Sequence, residues 1–219
     1  MSVDQGRIRS LVSSTLLALA SALVILAIAA VPFLSPQWSA FEQGRAGSLA
    51  RTGFSADELR MVTDSVLHDL AFGGSFDAAV GGAPVLDARE RSHMVDVRNV
   101  FRVFAALSLI CGLTFALSAW RNRERAWQAL RLGALGLLAA TLMLGALVAL
   151  SFGLAFELFH RLLFGPGSYS FDPASERLVQ LFPTSFWQDT TLALGGLVII
   201  LCVAVLGLDP VRRMRADKP

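Results

Sequence analysis

Four stretches of this chain are apolar on every side. They show neither the alternation of a half-buried strand nor the single stripe of a surface helix. They cover residues 11–31, 103–120, 132–159 and 190–208, and none contains a run of charges. A hydrocarbon core of about 30 Å takes about 20 helical residues to cross. The pattern therefore predicts an all-α membrane protein: a single membrane domain over 1–219, with four transmembrane helices and a small extracytoplasmic α(+β) cap. The cap is built from two outer loops, 32–99 and 160–189.

Between the spans the periodicity changes. Ser55-Ala-Asp-Glu58 is a capping-box pattern, in which serine and glutamate satisfy each other's free backbone N–H groups. Leu59, Val62, Val66 and Leu70 follow at helical spacing. This predicts an amphipathic helix to about Leu70, its stripe lying on the membrane surface or on the rest of the cap. Gly73-Gly74 and Gly81-Gly82 bracket Phe76 to Val80, which allows a small hairpin turning at Gly81-Gly82. From about Ala88 a helical pattern runs without Gly or Pro into the second span. The third stretch holds more apolar residues than a straight crossing needs, so it is expected to tilt or to rise into the headgroups. Gly165-Pro166-Gly167 stops it. Asp172-Pro173 reads as an N-cap and first-turn proline, with Leu178, Val179, Leu181 and Phe182 as an apolar face beyond.

Charge decides orientation. Arg7 and Arg9 precede the first span, Arg121, Arg123, Arg125 and Arg131 fill the link between the second and third, and Arg212, Arg213, Arg215 and Lys218 follow the fourth. The two long connections mix acids and bases, with acids in slight excess. The positive-inside rule then puts both termini of a multi-pass membrane protein in the cytoplasm and the long loops outside. The first span outlasts the roughly 7–15 apolar residues of a signal peptide, which argues for retention as an anchor. The net charge of +2 is accounted for by these flanks and gives no reason to expect nucleic acid. Cys111 and Cys202 fall inside spans and read as packing residues, so no disulfide framework is expected.

The candidate chemistry sits where the outer loops meet the membrane. Glu90-Arg-Ser-His93 and Glu157-Leu-Phe-His160 each place a carboxylate and an imidazole on one helix face. Asp96, Arg98 and Arg102 open the second span, and the two arginines share a face that Glu157 and His160 can meet from an antiparallel neighbour. Ionisable groups at this depth are costly enough that function is the first hypothesis. Three uses compete: acid–base work on an ester, with carboxylates orienting the imidazoles and arginine stabilising an oxyanion or binding phosphate; a metal site of paired Glu-x-x-His motifs, although spans one and four lack acidic residues; or a non-catalytic lipid-binding or assembly cap. His68, beside Asp69, reads as a solvated face residue.

The run His93-Met-Val-Asp96-Val97-Arg98-Asn-Val-Phe101, preceded by Glu90, resembles the first signature of the bacterial four-helix membrane family that includes the lipoprotein intramolecular transacylases. Phe159-His160-Arg-Leu-Leu-Phe164, Tyr169-Ser-Phe171-Asp172-Pro173 and Leu178-Val-Gln-Leu-Phe182-Pro183-Thr-Ser-Phe186-Trp187 resemble the second. Tyr169, Glu176 and Thr184 depart from that pattern, where tryptophan, aspartate and an acid are usual. The resemblance implies an acyltransferase acting on diacylated bacterial lipoproteins in the membrane. The sn-2 acyl chain of the diacylglyceryl-cysteine moves to that cysteine's α-amino group, with no cofactor and no metal. The absence of a G-x-S-x-G elbow in the outer loops suits direct attack by the amine. On this reading His93 and His160 are the acid–base pair, and Glu90, Asp96, Arg98, Arg102, Glu157 and Asp172 support them. Phe156, Phe159, Phe164, Phe171, Phe182 and Phe186 have the character to line a lipid-facing slot for the acyl chains, or else to pack the cap on the bundle.

Overall fold

A computed structural model describes residues 2–165 and 167–216. Four helices are long and apolar enough to cross a membrane: α1 (Ser2–Ala30), α5 (Ala88–Arg121), α6 (Arg123–Leu150) and α9 (Thr184–Ala216). Between α1 and α5 come a 3-10 turn (Val31–Leu34), α2 (Pro36–Ala46), α3 (Ser48–Thr52), α4 (Ala56–Phe72) and a two-stranded hairpin, β1 (Ala79–Val80) with β2 (Ala83–Pro84). Between α6 and α9 come α7 (Phe152–Leu163) and α8 (Arg177–Leu181). The expected all-α architecture with a trace of strand is what the chain adopts. It divides into two compact units, Met1–Ala30 with Ala105–Ala146 and Leu194–Pro219, and Val31–Phe104 with Leu147–Ala193.

In the first unit the packing relies on small residues. Ile25, Ala29, Ala134, Val198 and Cys202 are buried, with Leu26, Leu130, Leu137, Leu194 and Leu201 packed around them. Lipid is as apolar as leucine, so such helices associate through close backbone approach and polar contacts more than through burial. Both occur here. Ser21 Oγ donates to Ala18 O at 2.8 Å and lies 3.1 Å from Ala129 O of α6, while a Cβ on Gly133 would collide with the Ala18 carbonyl and the Ser21 hydroxyl. On α5 the apolar window has no buried residue, and Leu107, Leu109, Ile110 and Leu113 stand exposed. The preceding residues 88–102 carry Arg89, Glu90, Arg91, Asp96, Arg98 and Arg102, a concentration of charge that hydrocarbon disfavours.

The second unit has an ordinary core. Leu59, Val62 and Val66 of α4 are buried with Phe76, Val85, Leu86, Met94, Leu178, Leu181, Phe182 and Phe186. The stripe of α4 thus packs within this unit, and its N-terminus carries the expected capping box between Ser55 and Glu58. Gln43 Nε2 donates to Leu181 O at 3.1 Å and exchanges bonds with Thr63 Oγ1, and Ser48 Oγ donates to the same carbonyl at 2.9 Å. That network satisfies the polar atoms buried between α2, α4 and α8. The hairpin turns at Gly81 and Gly82, whose φ of 61° and 82° match a type I′ turn.

Two expectations are corrected. The long third stretch is two helices, not one tilted span: α6 ends at Leu150, and Ser151 caps α7 by accepting the Leu154 N–H. Serine in an apolar run passes as tolerated, yet its oxygen can satisfy a free N–H and start a new helix. Asp172-Pro173 does not open α8. The Asp172 carboxylate accepts from Ala174 N and Ser175 Oγ in a single turn, and α8 starts five residues later at Arg177. The helix stop expected at Gly165-Pro166-Gly167 includes Pro166, which lies outside the described residues, as does Lys218; α7 ends at Leu163, with Phe164 extended.

Gly133→Ala is expected to destabilise the protein by about 1–3 kcal/mol, because the added methyl meets backbone that cannot turn aside. Thermal unfolding in detergent checks this, with Gly136→Ala, which has open space, as the control.

Candidate active site

The first turn of α5 sets the position of His93. Glu90 N donates to Asp87 Oδ1 at 2.8 Å, and Asp87 N donates to Glu90 Oε2 at 2.7 Å, a reciprocal cap that fixes where the helix begins. The other Glu90 oxygen accepts the Leu178 N–H at 2.7 Å, at the start of α8. His93, one turn on, points from α5 towards α7, where His160 lies in the last turn.

The two imidazoles face each other with ring centroids 6.2 Å apart and planes 25° from parallel. Both are buried, His93 at 6% and His160 at 9% exposure. Aromatic rings enclose them. Phe164 and Phe171 meet His93 edge-on at 5.0 and 5.4 Å, while Phe156 lies 3.9 Å from His160, with Tyr169, Phe159 and Phe164 within 5.5 Å of it.

The hydrogen bonds define the tautomers. His160 Nδ1 lies 2.8 Å from the Phe156 carbonyl, which can only accept, so Nδ1 carries the proton and Nε2 presents a lone pair. His93 Nδ1 is buried without a partner. A buried lone pair without a donor costs less than a buried N–H without an acceptor, which favours the His93 proton on Nε2. Burial pushes the His93 pKa down to about 4; His160 pushes it the same way and Asp96 opposes. Burial also lowers His160, against the Phe156 carbonyl and the Glu157 charge. Both shifts favour the neutral imidazole, so one ring can offer a base and the other a donor.

The carboxylates and arginines do other work than expected. Glu90 makes no hydrogen bond to His93, because its oxygens are taken by two backbone N–H groups. Glu157 accepts from Arg161 Nε at 2.7 Å and from Tyr169 Oη at 3.1 Å, which hold its pKa below the usual range; it acts on His160 only through its field. Arg98 does not face Glu157. Its Nη1 donates to Gly74 O at 2.6 Å, and its guanidinium lies 5.1 Å from the centre of the Phe76 ring. This holds Phe76 at a φ of 53°, a conformation costly for a side chain of that size. Arg102 lies beside Gly73, on the same loop. Asp172 forms its turn beside Phe171. Phe156, Phe159, Phe164 and Phe171 surround the imidazoles, but Phe182 and Phe186 are buried in the core of the second unit. Among the described residues no three His, Cys, Asp or Glu side chains converge as a metal site.

Tyr169, Arg161 and Arg89 are the neighbours that the charge pattern did not single out. Tyr169 is visible only as a motif position. His68 stands exposed beside Asp69, as expected.

Four apolar helices with two neutral histidines in an aromatic enclosure define a polytopic membrane protein suited to proton transfer in a dry site. The family model for lipoprotein intramolecular transacylase Lit matches residues 11–187, so the chain belongs to that family. The crystal structure of the membrane-integral lipoprotein intramolecular transacylase Lit from Bacillus cereus superposes with a TM-score of 0.79 at 17% identity, covering 97% of this chain and all of that one. Two variants of that protein with one histidine replaced, by arginine and by alanine, give TM-scores of 0.76 and 0.72, at 18% and 19% identity, over 99% and 98% of this chain and 97% and 99% of theirs. An uncharacterized protein of Aquifex aeolicus is 29% identical over 121 residues, 54% of this chain. The chain spans about half the length of that curated relative, 53% of it.

In an NMR titration of 15N-histidine-labelled protein, His93 is expected to take up its proton near pH 4, below the 6.5 of a free imidazole. Asp96→Asn should move that midpoint further down, since the lost carboxylate favoured the imidazolium. A midpoint at or above 6.5 would show that the ring is hydrated.

Proposed function

We propose that this protein moves the sn-2 acyl chain of a diacylglyceryl-cysteine lipoprotein to the α-amino group of the same cysteine. The observation that carries the reading is the pair of buried imidazoles, 6.2 Å apart, with a lone pair left on His160 Nε2. Ester and amine belong to one molecule, so holding them together supplies much of the rate and no energy source is needed.

Attack begins with the free amine, since an ammonium has no lone pair; an α-amino group has a pKa of about 7.7–8.0, so a useful fraction is free at neutral pH. His160 Nε2 takes the proton that the amine loses as its nitrogen bonds to the ester carbon. The His93 Nε2–H donates to the oxygen that becomes negative, acting as a neutral electrophile in a low-dielectric site. Collapse forms the amide and breaks the bond to the glyceryl oxygen, which receives the proton from the His160 imidazolium. One proton leaves nitrogen and one arrives on oxygen, so the pair ends as it began. His93 does not act as a charged acid, because a pKa of about 4 leaves almost no imidazolium at pH 7. Asp96 and Glu157 bias the two rings by their fields.

Phe156, Phe159, Phe164 and Phe171 supply an apolar wall for the acyl chains, which stay in lipid while the ester reaches the histidines. The partners are diacylated lipoproteins and membrane lipid, with no role for nucleic acid. The site lies on the outer face of the bacterial cytoplasmic membrane, with both termini in the cytoplasm.

His160→Ala and His93→Ala are each expected to lower conversion by about 10²–10⁴-fold. The measurement is mass spectrometry of the N-terminal lipopeptide from cells that lack lipoprotein N-acylation and express this chain. Full activity in both variants would end the assignment. For orientation, with Cys111 and Cys202 removed, a membrane-impermeant thiol reagent should label Ser168→Cys and not Arg123→Cys in intact cells. Labelling at position 123 alone would invert the topology.

A further inference from the structure

Arg89 stands in the first turn of α5, one residue before Glu90, and its guanidinium grips the segment between α7 and α8 at two points. Nη1 donates to Ser170 O at 3.0 Å and Nη2 to Glu176 Oε1. The other Glu176 oxygen accepts the Asp172 N–H, so the two ends of the 170–176 turn meet on one carboxylate that the arginine holds. Between these contacts the guanidinium lies 4.8 Å from the centre of the Phe171 ring, and that ring presents itself edge-on to His93 at 5.4 Å.

We propose that Arg89 is a positioning residue, which clamps residues 170–176 to α5 and so fixes Phe171 as the wall that keeps water from His93. The inference rests on the reading of His93 and His160 as the reacting pair. Phe171 is only partly buried, and its segment follows Gly165 and Gly167, the latter at a φ of 80°. The clamp therefore adds to the ring's partial packing against the core of this unit. His93 Nδ1, with no partner behind that wall, is where entering water would bind. Lysine cannot replace arginine here, because a single ammonium can neither donate to two acceptors in fixed directions nor lie flat on a ring.

The test uses the full-length protein in membranes, with Arg89→Lys, Phe171→Ala and the double variant. Two rates are read at pH 7: modification of His93 by diethylpyrocarbonate, from peptide mass spectrometry, and lipopeptide conversion. Access to His93 is measured without any acyl transfer, so it decides the clamp even if the transacylase reading fails. Arg89→Lys should speed His93 modification and slow conversion, each about tenfold. In the Phe171→Ala background the same change should alter either rate less than about twofold. Unchanged His93 modification in Arg89→Lys would overturn the clamp, and so would effects that add in full in the double variant. If Arg89→Lys does not fold, Glu176→Gln loosens the clamp from the other side and should raise the modification rate in the same direction; protection at the wild-type level there would overturn it too.

Discussion

A buried carboxylate governs this site. Glu90 is 2% exposed, and a charge in such a place costs several kcal/mol unless its oxygens are hydrogen-bonded. The two backbone N–H groups that satisfy it come from different places, Asp87 before α5 and Leu178 at the start of α8. One side chain therefore fixes where α5 begins and which segment lies against it. His93 follows one turn later and inherits its position from that cap.

The second constraint is dryness. Phe164 and Phe171 against His93, and Phe156 and Phe159 against His160, remove the water that would stabilise an imidazolium. Burial is the largest influence on both rings. Dryness also strengthens each remaining dipole, so one N–H and one lone pair count for more here than in solution. The same enclosure favours the neutral rings. Arg98 bonds to the Phe76 loop, Arg89 to the Phe171 turn and Arg161 to the Glu157 carboxylate.

Where the prediction from residues succeeds, the signal is local. The capping box at Ser55 works because serine and glutamate three apart reach each other's backbone in any helix start. Gly81-Gly82 turns the hairpin because both positions need a positive φ. The apolar stretches become helices because a backbone in lipid must bond to itself. The pairing of the histidines was legible only as two similar motifs at loop boundaries, and the family resemblance carried the rest.

Charge partners and aromatic roles were beyond that reach. Glu-x-x-His spacing places two side chains on one face but does not oblige them to bond; Glu90 found stronger donors in Asp87 and Leu178, and Glu157 in Arg161 and Tyr169. Phe182 and Phe186 read like Phe164 and Phe171 in the sequence, yet the former fill a core and the latter enclose the histidines, because each ring's role depends on what packs against it. Ser151 ends one helix and starts another although an apolar window passes over it. The sequence by itself determined the membrane class, the long helices, the cap at Ser55 and the turn at Gly81-Gly82. Only the tertiary structure decided which groups meet, since a hydrogen bond goes to whichever unsatisfied partner the packing brings near, and that partner can be as distant in the chain as Leu178 is from Glu90.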